Sequence, residues 1–343
     1  MATLSDVARL AGVSLSTASR ALNGSRDRVV RPDLAARALS AARTLNYVPN
    51  AAAQTMARGR ARAIALIVND IRDPYFSSIA AGVIKTASEA ECIVTLSTML
   101  YDREALVPLI DAMHQQRPEA LLVAGGMWKD ATYIDRVNQA LAHFQADTGA
   151  RVCWIGATQP DFHGVTVRNR AGACALGAAL AGQGFTTAAL LSGPELHLTA
   201  AKRAQGFEEG FGADKVVCQV TGEFTRDGGY AAMKAVLDRP VLPQLVFAVN
   251  DVMAVGALAA CREAGRRVPE DIAVAGFDDI PTLRDIDPQL TTVRVPMELL
   301  GTTAVNLALQ PADTEPTTVT LSTTPVLRRS TAVVPITPPT SAK

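Results

Sequence analysis

From residue 63 to about residue 276, short apolar runs alternate with amphipathic stretches of helical length. The runs at 63–68, 92–97, 120–124 and 151–155 read as strands, and a second set follows at 165–167, 187–191, 216–220, 245–249 and 272–276. Strand–helix alternation of this kind predicts parallel sheets with helices on both faces. Nine strands are too many for one small sheet, so the body reads as two stacked α/β lobes. The predicted break falls at 159–164, where Pro160 and Gly164 interrupt the pattern.

The first 45 residues follow a different rhythm. The spacing predicts a helix over 5–11, a turn at Gly12-Val13-Ser14 and a second helix over 15–22, with the Ser14 hydroxyl as its N-cap. Pro32 suits the first turn of a third helix, running to about Leu45 with Leu34, Ala38, Leu39 and Ala42 inward. Residues 46–62 read as a linker holding one candidate helix at 50–57, NAAAQTMA, capped by Asn50 after Pro49. Eight residues fall short of the about 12–15 that an isolated helix needs in water, so this one forms only when something packs on it.

Composition changes this picture in one respect. The 343 residues carry 33 basic and 33 acidic side chains, a formal charge of zero. The average conceals a division: ten arginines against three acids leave residues 1–62 at +7, and the remaining 23 basic and 30 acidic residues leave the rest at −7. A cationic head on an anionic body is the asymmetry expected where one end meets phosphates. Asp6 and Arg9 stand where a signal peptide needs an unbroken apolar stretch, and no apolar run approaches the about 18 residues of a membrane span. Cys92, Cys153, Cys174, Cys218 and Cys261 are widely spaced and form no Cys-x-x-Cys pair, which fits reduced thiols in a cytoplasm better than a disulfide framework or a metal site. No Walker A sequence, Gly-x-Gly-x-x-Gly, His-Glu-x-x-His or nucleophile elbow is present, so the sequence predicts neither an enzyme nor a cofactor.

The segment LSDVARLAGVSLSTASRALN, residues 4–23, has what a helix-turn-helix requires. Ala8 is small where the helices touch, Gly12 makes the turn, and Val13 and Ala18 lock the second helix, which would lie in the major groove of DNA. With LNYVPNAAAQTMARG (45–59), FAVNDVMAVGAL (247–258), VPEDIAVAGFDD (268–279) and PQLTTVRVP (288–296), this segment resembles the lactose/galactose repressor (LacI/GalR) family along essentially the whole chain.

The resemblance implies a dimeric, ligand-responsive bacterial transcription regulator. Its fold would be α/β, two doubly wound parallel-sheet lobes like those of periplasmic sugar-binding proteins, preceded by a small all-α headpiece. The implied domains are a headpiece at 1–45, a linker at 46–62 with hinge helix 50–57, a first lobe at 63–161 plus about 291–320, and a second lobe at 162–290 plus about 321–335. The partners would be a pseudo-palindromic double-stranded operator, a second copy of the chain and a small sugar-like effector. A soluble sugar-binding protein of transport or sensing, without DNA binding, is the alternative.

By the same resemblance, Leu15, Ser16 and Arg20 face base edges, Thr17, Ser19 and Asn23 are placed for the phosphates, and Ser14 is counted with these DNA-binding residues. Leu15 has a second reading as a helix-packing residue. Asn50 caps the hinge helix, and Met56 holds the position of the apolar wedge inserted in the minor groove. Arg26, Arg28 and Arg31 read equally as an added phosphate clamp or as a solvated loop. The implied effector site takes Asp73, Tyr75, Phe76, Arg203, Asn250 and Asp278, with His197, Thr199 and Phe224 as additions. Asp, Asn and Arg grip vicinal hydroxyls and aromatic rings stack on a sugar; Arg203 has a second reading as a structural ion pair. Two positions depart from the family pattern: Gly156 stands where sugar binders often place an acid, and Arg168 replaces the Asp of a V-D-N motif.

Overall fold

The computed structural model describes residues 2–23, 30–47, 63–311 and 314–332. The chain divides into a small N-terminal unit and a body that begins at Ala63.

In the N-terminal unit, helix α1 (Leu4–Ala11) starts at Thr3, whose side chain accepts from the Asp6 N–H while the Asp6 carboxylate accepts from the Thr3 N–H. Reciprocal caps of this kind are worth about 1 kcal/mol. Gly12 ends the helix with φ 60°, a left-handed conformation that a side chain would strain. Helix α2 (Leu15–Asn23) follows, its Thr17 N–H donating 3.1 Å to the Ser14 Oγ as the predicted N-cap requires. Helix α3 (Pro32–Thr44) completes a core of Val7, Ala11, Ala38, Ala41 and Ala42. Leu39 is a correction to the predicted inward face: it is 40% exposed, and Ala41 takes its place beside Ala42. Arg31 occupies the N-cap of α3 without a capping bond and instead grips Asp33 through Nε at 3.1 Å and Nη2 at 2.7 Å.

The body has two parallel sheets. The first has six strands in the order β11-β5-β4-β3-β1-β2, where β1 is Ala63–Val68, β2 Ile93–Thr98, β3 Ala120–Ala124, β4 Arg151–Ile155, β5 His163–Val167 and β11 Thr318–Leu321. Strand β1, paired on both sides by β3 and β2, is apolar throughout because both faces are covered. Ile64, Leu66 and Val68 join the core with helix α4 (Pro74–Glu89) and helix α11 (Met297–Ala308). Ala65 and Ile67 join a separate core with α5 (Leu106–His114) and α6 (Ala131–Thr148).

The second sheet runs β7-β6-β8-β9, where β6 is Ala188–Ser192, β7 Val216–Thr221, β8 Leu245–Ala248 and β9 Ala273–Ala275. Here α7 (Asn169–Gly182) packs on α8 (Leu198–Phe211), and α9 (Arg226–Leu237) packs on α10 (Asp251–Glu263). Two short strands, β10 (Thr292–Arg294) and β12 (Thr324–Val326), pair antiparallel beside them.

The chain leaves the first sheet later than the sequence pattern suggests. Pro160 and Gly164 do not mark the break between lobes, because β5 stays in the first sheet, with Cys153 opposite His163 in the parallel register of β4 and β5. The residues between these strands form a helix-free connection, shorter than the usual crossover between parallel strands. Pro160 lies in that passage, and Gly164 is the second residue of β5, where a Cβ would fall 3.1 Å from Thr318 Oγ1 and 3.2 Å from the Ala157 carbonyl oxygen. The crossing to the second sheet comes after Val167.

Candidate functional site

A cavity lies at the C-terminal ends of the strands of both sheets, where open parallel α/β sheets hold their ligands. The loop after β1 and the start of α4 bring Asp73, Tyr75 and Phe76 to it. From the second lobe come His197, Thr199 and Arg203 around the start of α8, Phe224 before α9, Asn250 before α10 and Asp278 after β9. The structure therefore gathers all nine expected effector residues on one cavity.

Three of them also begin helices. The Asp73 carboxylate accepts 2.9 Å from the Tyr75 N–H, Asn250 Oδ1 accepts 2.9 Å from the Met253 N–H, and His197 Nδ1 accepts 3.4 Å from the Ala200 N–H. Each bond fixes a rotamer, and the N-terminal dipole ends of α4, α8 and α10 meet at the cavity. Asp73 also accepts 3.4 Å from the Tyr101 hydroxyl. Burial nevertheless pushes its carboxyl up to about 6. Burial, with Arg203 nearby, brings His197 down to about 4, so its ring is neutral at ordinary pH. That ring meets Trp128 edge-on at 5.3 Å and lies 4.8 Å from the Phe224 ring.

Arg203 is 3% exposed and engaged on every side. Nε donates 2.9 Å to Asn169 Oδ1, Nη1 donates 2.9 Å to the Val249 carbonyl, Nη2 stands 2.8 Å from Asp278 Oδ1, and the guanidinium carbon lies 3.9 Å from the Phe277 ring centroid. Arg203 is thus both a lining residue and half of a buried ion pair. Asp278 is held with φ 132°, a conformation rare outside glycine that concentrates at functional sites. Its Oδ1 has the charge contact but no well-directed hydrogen bond, and burial pushes the carboxyl up to about 8 against the pull of Arg203.

Among the cavity's lining residues Arg203 is the only permanent cation, set against Asp73 and Asp278. The wall therefore suits a neutral polyol better than an anion. Asn69, Tyr101 and Asn169 line the cavity too and were not expected there. Asn169 had a signal, as the last residue of the V-R-N triplet; Tyr101 had none, since its φ of 65° and its reach to Asp73 are properties of the folded turn. Gly156 contributes backbone with φ 98°, and Arg168 is exposed, its backbone opening α7.

The two lobes touch at the rim of this cavity. Lys129 N–H donates 2.7 Å to the Leu196 carbonyl and Leu198 N–H donates 2.9 Å to the Met127 carbonyl. Gly126 makes this approach possible: a Cβ there would fall 2.4 Å from His197 Cε1 and 2.9 Å from Thr199 Oγ1.

In the N-terminal unit, Ser14, Leu15, Ser16 and Arg20 are exposed together at and along the start of α2, with Thr17 and Ser19 half-buried beside them. Leu15 is 51% exposed while Ala18 is fully buried, so Ala18 rather than Leu15 does the packing. The Ser14 hydroxyl lies 3.0 Å from that of Ser16 and 2.8 Å from that of Thr17. Asn23 closes the helix. Asn50, Met56, Arg26 and Arg28 lie outside the described residues. Among the described residues no helix is long and apolar enough to cross a membrane.

With this geometry in view, comparison with known proteins is direct. Residues 3–50 match the family model of bacterial regulatory proteins of the lacI family, and residues 178–331 match a periplasmic binding protein-like domain. The ribose operon repressor of Escherichia coli (strain K12) is 30% identical over 313 residues, covering 90% of this chain and 92% of that protein. The HTH-type transcriptional regulator GalS of Salmonella typhimurium is 33% identical over 319 residues, covering 91% and 90%. Among solved structures, the lac repressor dimer bound to operator and the anti-inducer ONPF superposes with a TM-score of 0.82 at 25% identity, covering 97% of this chain and 99% of that one.

Proposed function

The chain belongs to the LacI family of bacterial regulatory proteins, and from that membership we propose that its headpiece holds an operator and that a small neutral sugar, bound between its lobes, alters the grip. It is a DNA-binding transcription regulator of repressor type and not an enzyme, as its relatives are repressors. A sugar-binding protein without a DNA partner is not favoured, since the match begins with the helix-turn-helix at residue 3.

The observation that carries the effector reading is the convergence of three N-capping side chains, a buried Arg–Asp pair and the rings of Tyr75, Phe76 and Phe224 on one cavity whose permanent charge is neutral or negative. Such a surface offers several fixed hydrogen-bond partners and apolar faces, which is what a polyhydroxylated ring uses. One headpiece reads one half-site, so two copies related by a twofold axis read a pseudo-palindrome. Within each copy, Leu15, Ser16 and Arg20 meet base edges, while Ser14, Thr17, Ser19 and Asn23 grip the backbone. By the same reading, Asn50 and Met56 contact the DNA between the half-sites. The protein works in the cytoplasm, where the operator is.

The test is a gel shift of the full-length protein on promoter fragments from its own genome, with and without a panel of neutral sugars and sugar acids. The reading requires a retarded fragment whose midpoint moves with a neutral sugar. A midpoint moved by sugar acids alone would overturn the effector class, and the absence of any retarded fragment would overturn the operator.

A further inference from the structure

Three crossings join the lobes covalently: after Val167, between Arg294 and Met297, and between Leu321 and Thr324. They gather at one side of each sheet. β11 and β5 end the order of the first, and β9, bridged to Thr291, ends that of the second. The lobes meet again through the loops after β3 and β6. β3 stands two strands in from β5, and β6 two strands in from β9. At the usual strand spacing this second contact is roughly 10 Å from the crossing side.

Leu198 is the centre of that contact. As the first residue of α8 it carries one of the N–H groups that a helix leaves unpaired, and it spends this donor across the cleft, 2.9 Å from the Met127 carbonyl. The Lys129 N–H donates 2.7 Å back to the Leu196 carbonyl, so Trp128 and His197 stand opposite one another as an antiparallel pair. The Leu198 side chain is half-buried and packs on the core of the other lobe, the one that Ala65 and Ile67 share with α5 and α6. Leu198 does not itself line the cavity. Among the described residues, no other main-chain hydrogen bonds join the lobes away from the crossings. A lobe that swings about the crossings must therefore break this pairing and bare Leu198. Every partner in the pairing belongs to the protein, so its strength does not depend on what fills the cavity.

We propose that the pairing of residues 127–129 with 196–198, clasped by Leu198, is a latch that holds the lobes shut by itself, so that a ligand enters or leaves the cavity only while the latch is open. The traffic it controls is that of the effector proposed above and rests on that reading; the latch does not. It is tested first without sugar, by hydrogen exchange of the full-length protein, beside Leu198→Ala and Gly126→Ala. The first variant withdraws the side chain and spares both main-chain bonds. The second sets a Cβ 2.4 Å from His197 Cε1 and wedges the loops apart. The Lys129 amide is expected to be protected in the parent and to lose about tenfold of that protection in either variant, the worth of half-burying a leucine, while the amides of β8 keep theirs. Should one variant not fold, the other decides. A Lys129 amide that exchanges in the parent as fast as an open loop would overturn the latch, as would protection that neither variant lowers.

The gate is then read by stopped-flow fluorescence of the two tryptophans, Trp128 and Trp154, with D-ribose, D-xylose, D-glucose and D-galactose. A barrier that favours neither the bound nor the free state slows both directions alike. Leu198→Ala is therefore expected to raise the association and dissociation rate constants together, about tenfold, with Kd unchanged, and Leu198→Met to restore the parent's rates. Rates equal to the parent's, or a Kd altered through dissociation alone, would overturn the gate. A protected Lys129 with no response to any of the four sugars would overturn the sugar reading and leave the latch standing.

Discussion

At the scale of single residues, the interior of the second lobe carries charge that water would otherwise solvate. Asp251 is completely buried, its two oxygens accepting from the Thr292 hydroxyl at 2.6 Å and the Ile280 N–H at 3.0 Å. Those bonds favour the carboxylate, yet burial outweighs them and pushes the group up to about 6. The folded chain therefore keeps a proton that the unfolded chain has released between pH 3.8 and about 6, and this contribution to stability is lost as pH rises through that window. Asp251→Asn cannot titrate. Its stability relative to the parent is expected to improve by up to about 3 kcal/mol between pH 4 and pH 7, read by urea unfolding at each pH. A constant difference would show that Asp251 is ionised throughout. Asn250 caps α10 and Asp251 is the first residue of that helix; what buries Asp251 is the approach of β10 and of the segment after β9, which no local feature of the sequence indicates.

At the scale of elements, α2 is the part whose behaviour follows most directly from its letters. Leu15–Asn23 buries Ala18 and leaves Arg20 outward, the division its spacing predicts. An Arg on a recognition helix reads guanine through two parallel hydrogen bonds. Arg20→Ala is expected to weaken operator binding by about 1–3 kcal/mol and to relax one base position in a binding-site selection. An unchanged base preference would remove Arg20 from the readout. The N-cap at Ser14, the glycine turn at Gly12 and the proline start of α3 were legible because capping and φ are local properties. The strand β5 was not legible in its sheet membership. Its residues look the same beside β4 as they would in the other lobe, and only the pairing decides.

At the scale of the whole molecule, two opposite charges share one chain, and effector and operator are linked through it. Affinity for operator is expected to fall with salt along a log–log slope of nearly one unit per phosphate neutralised, measured by fluorescence anisotropy between low and physiological salt. A flat response would contradict the role of the ten arginines among the first 62 residues. Arg31, tied to Asp33, has the weakest claim among them to a phosphate of its own. Linkage further requires that whatever factor the sugar imposes on operator affinity, the operator imposes on sugar affinity. Titrating the sugar into free protein and into the protein–DNA complex gives that factor twice. A sugar that binds both forms equally would leave the lobes without influence on the headpiece.

The letters alone determined the helix-turn-helix, the strand–helix alternation and the charge division, all of which rest on periodicity, capping and residue type acting over a few positions. The nine residues that meet on one cavity were implied by the resemblance to the family. Only the tertiary structure decided that β5 stays in the first sheet, that Tyr101 and Asn169 join the cavity and that Asp251 is raised by burial. Burial and convergence are set by segments that the chain brings together from far apart. A residue's dielectric surroundings and spare hydrogen-bonding capacity therefore exist only once it has folded.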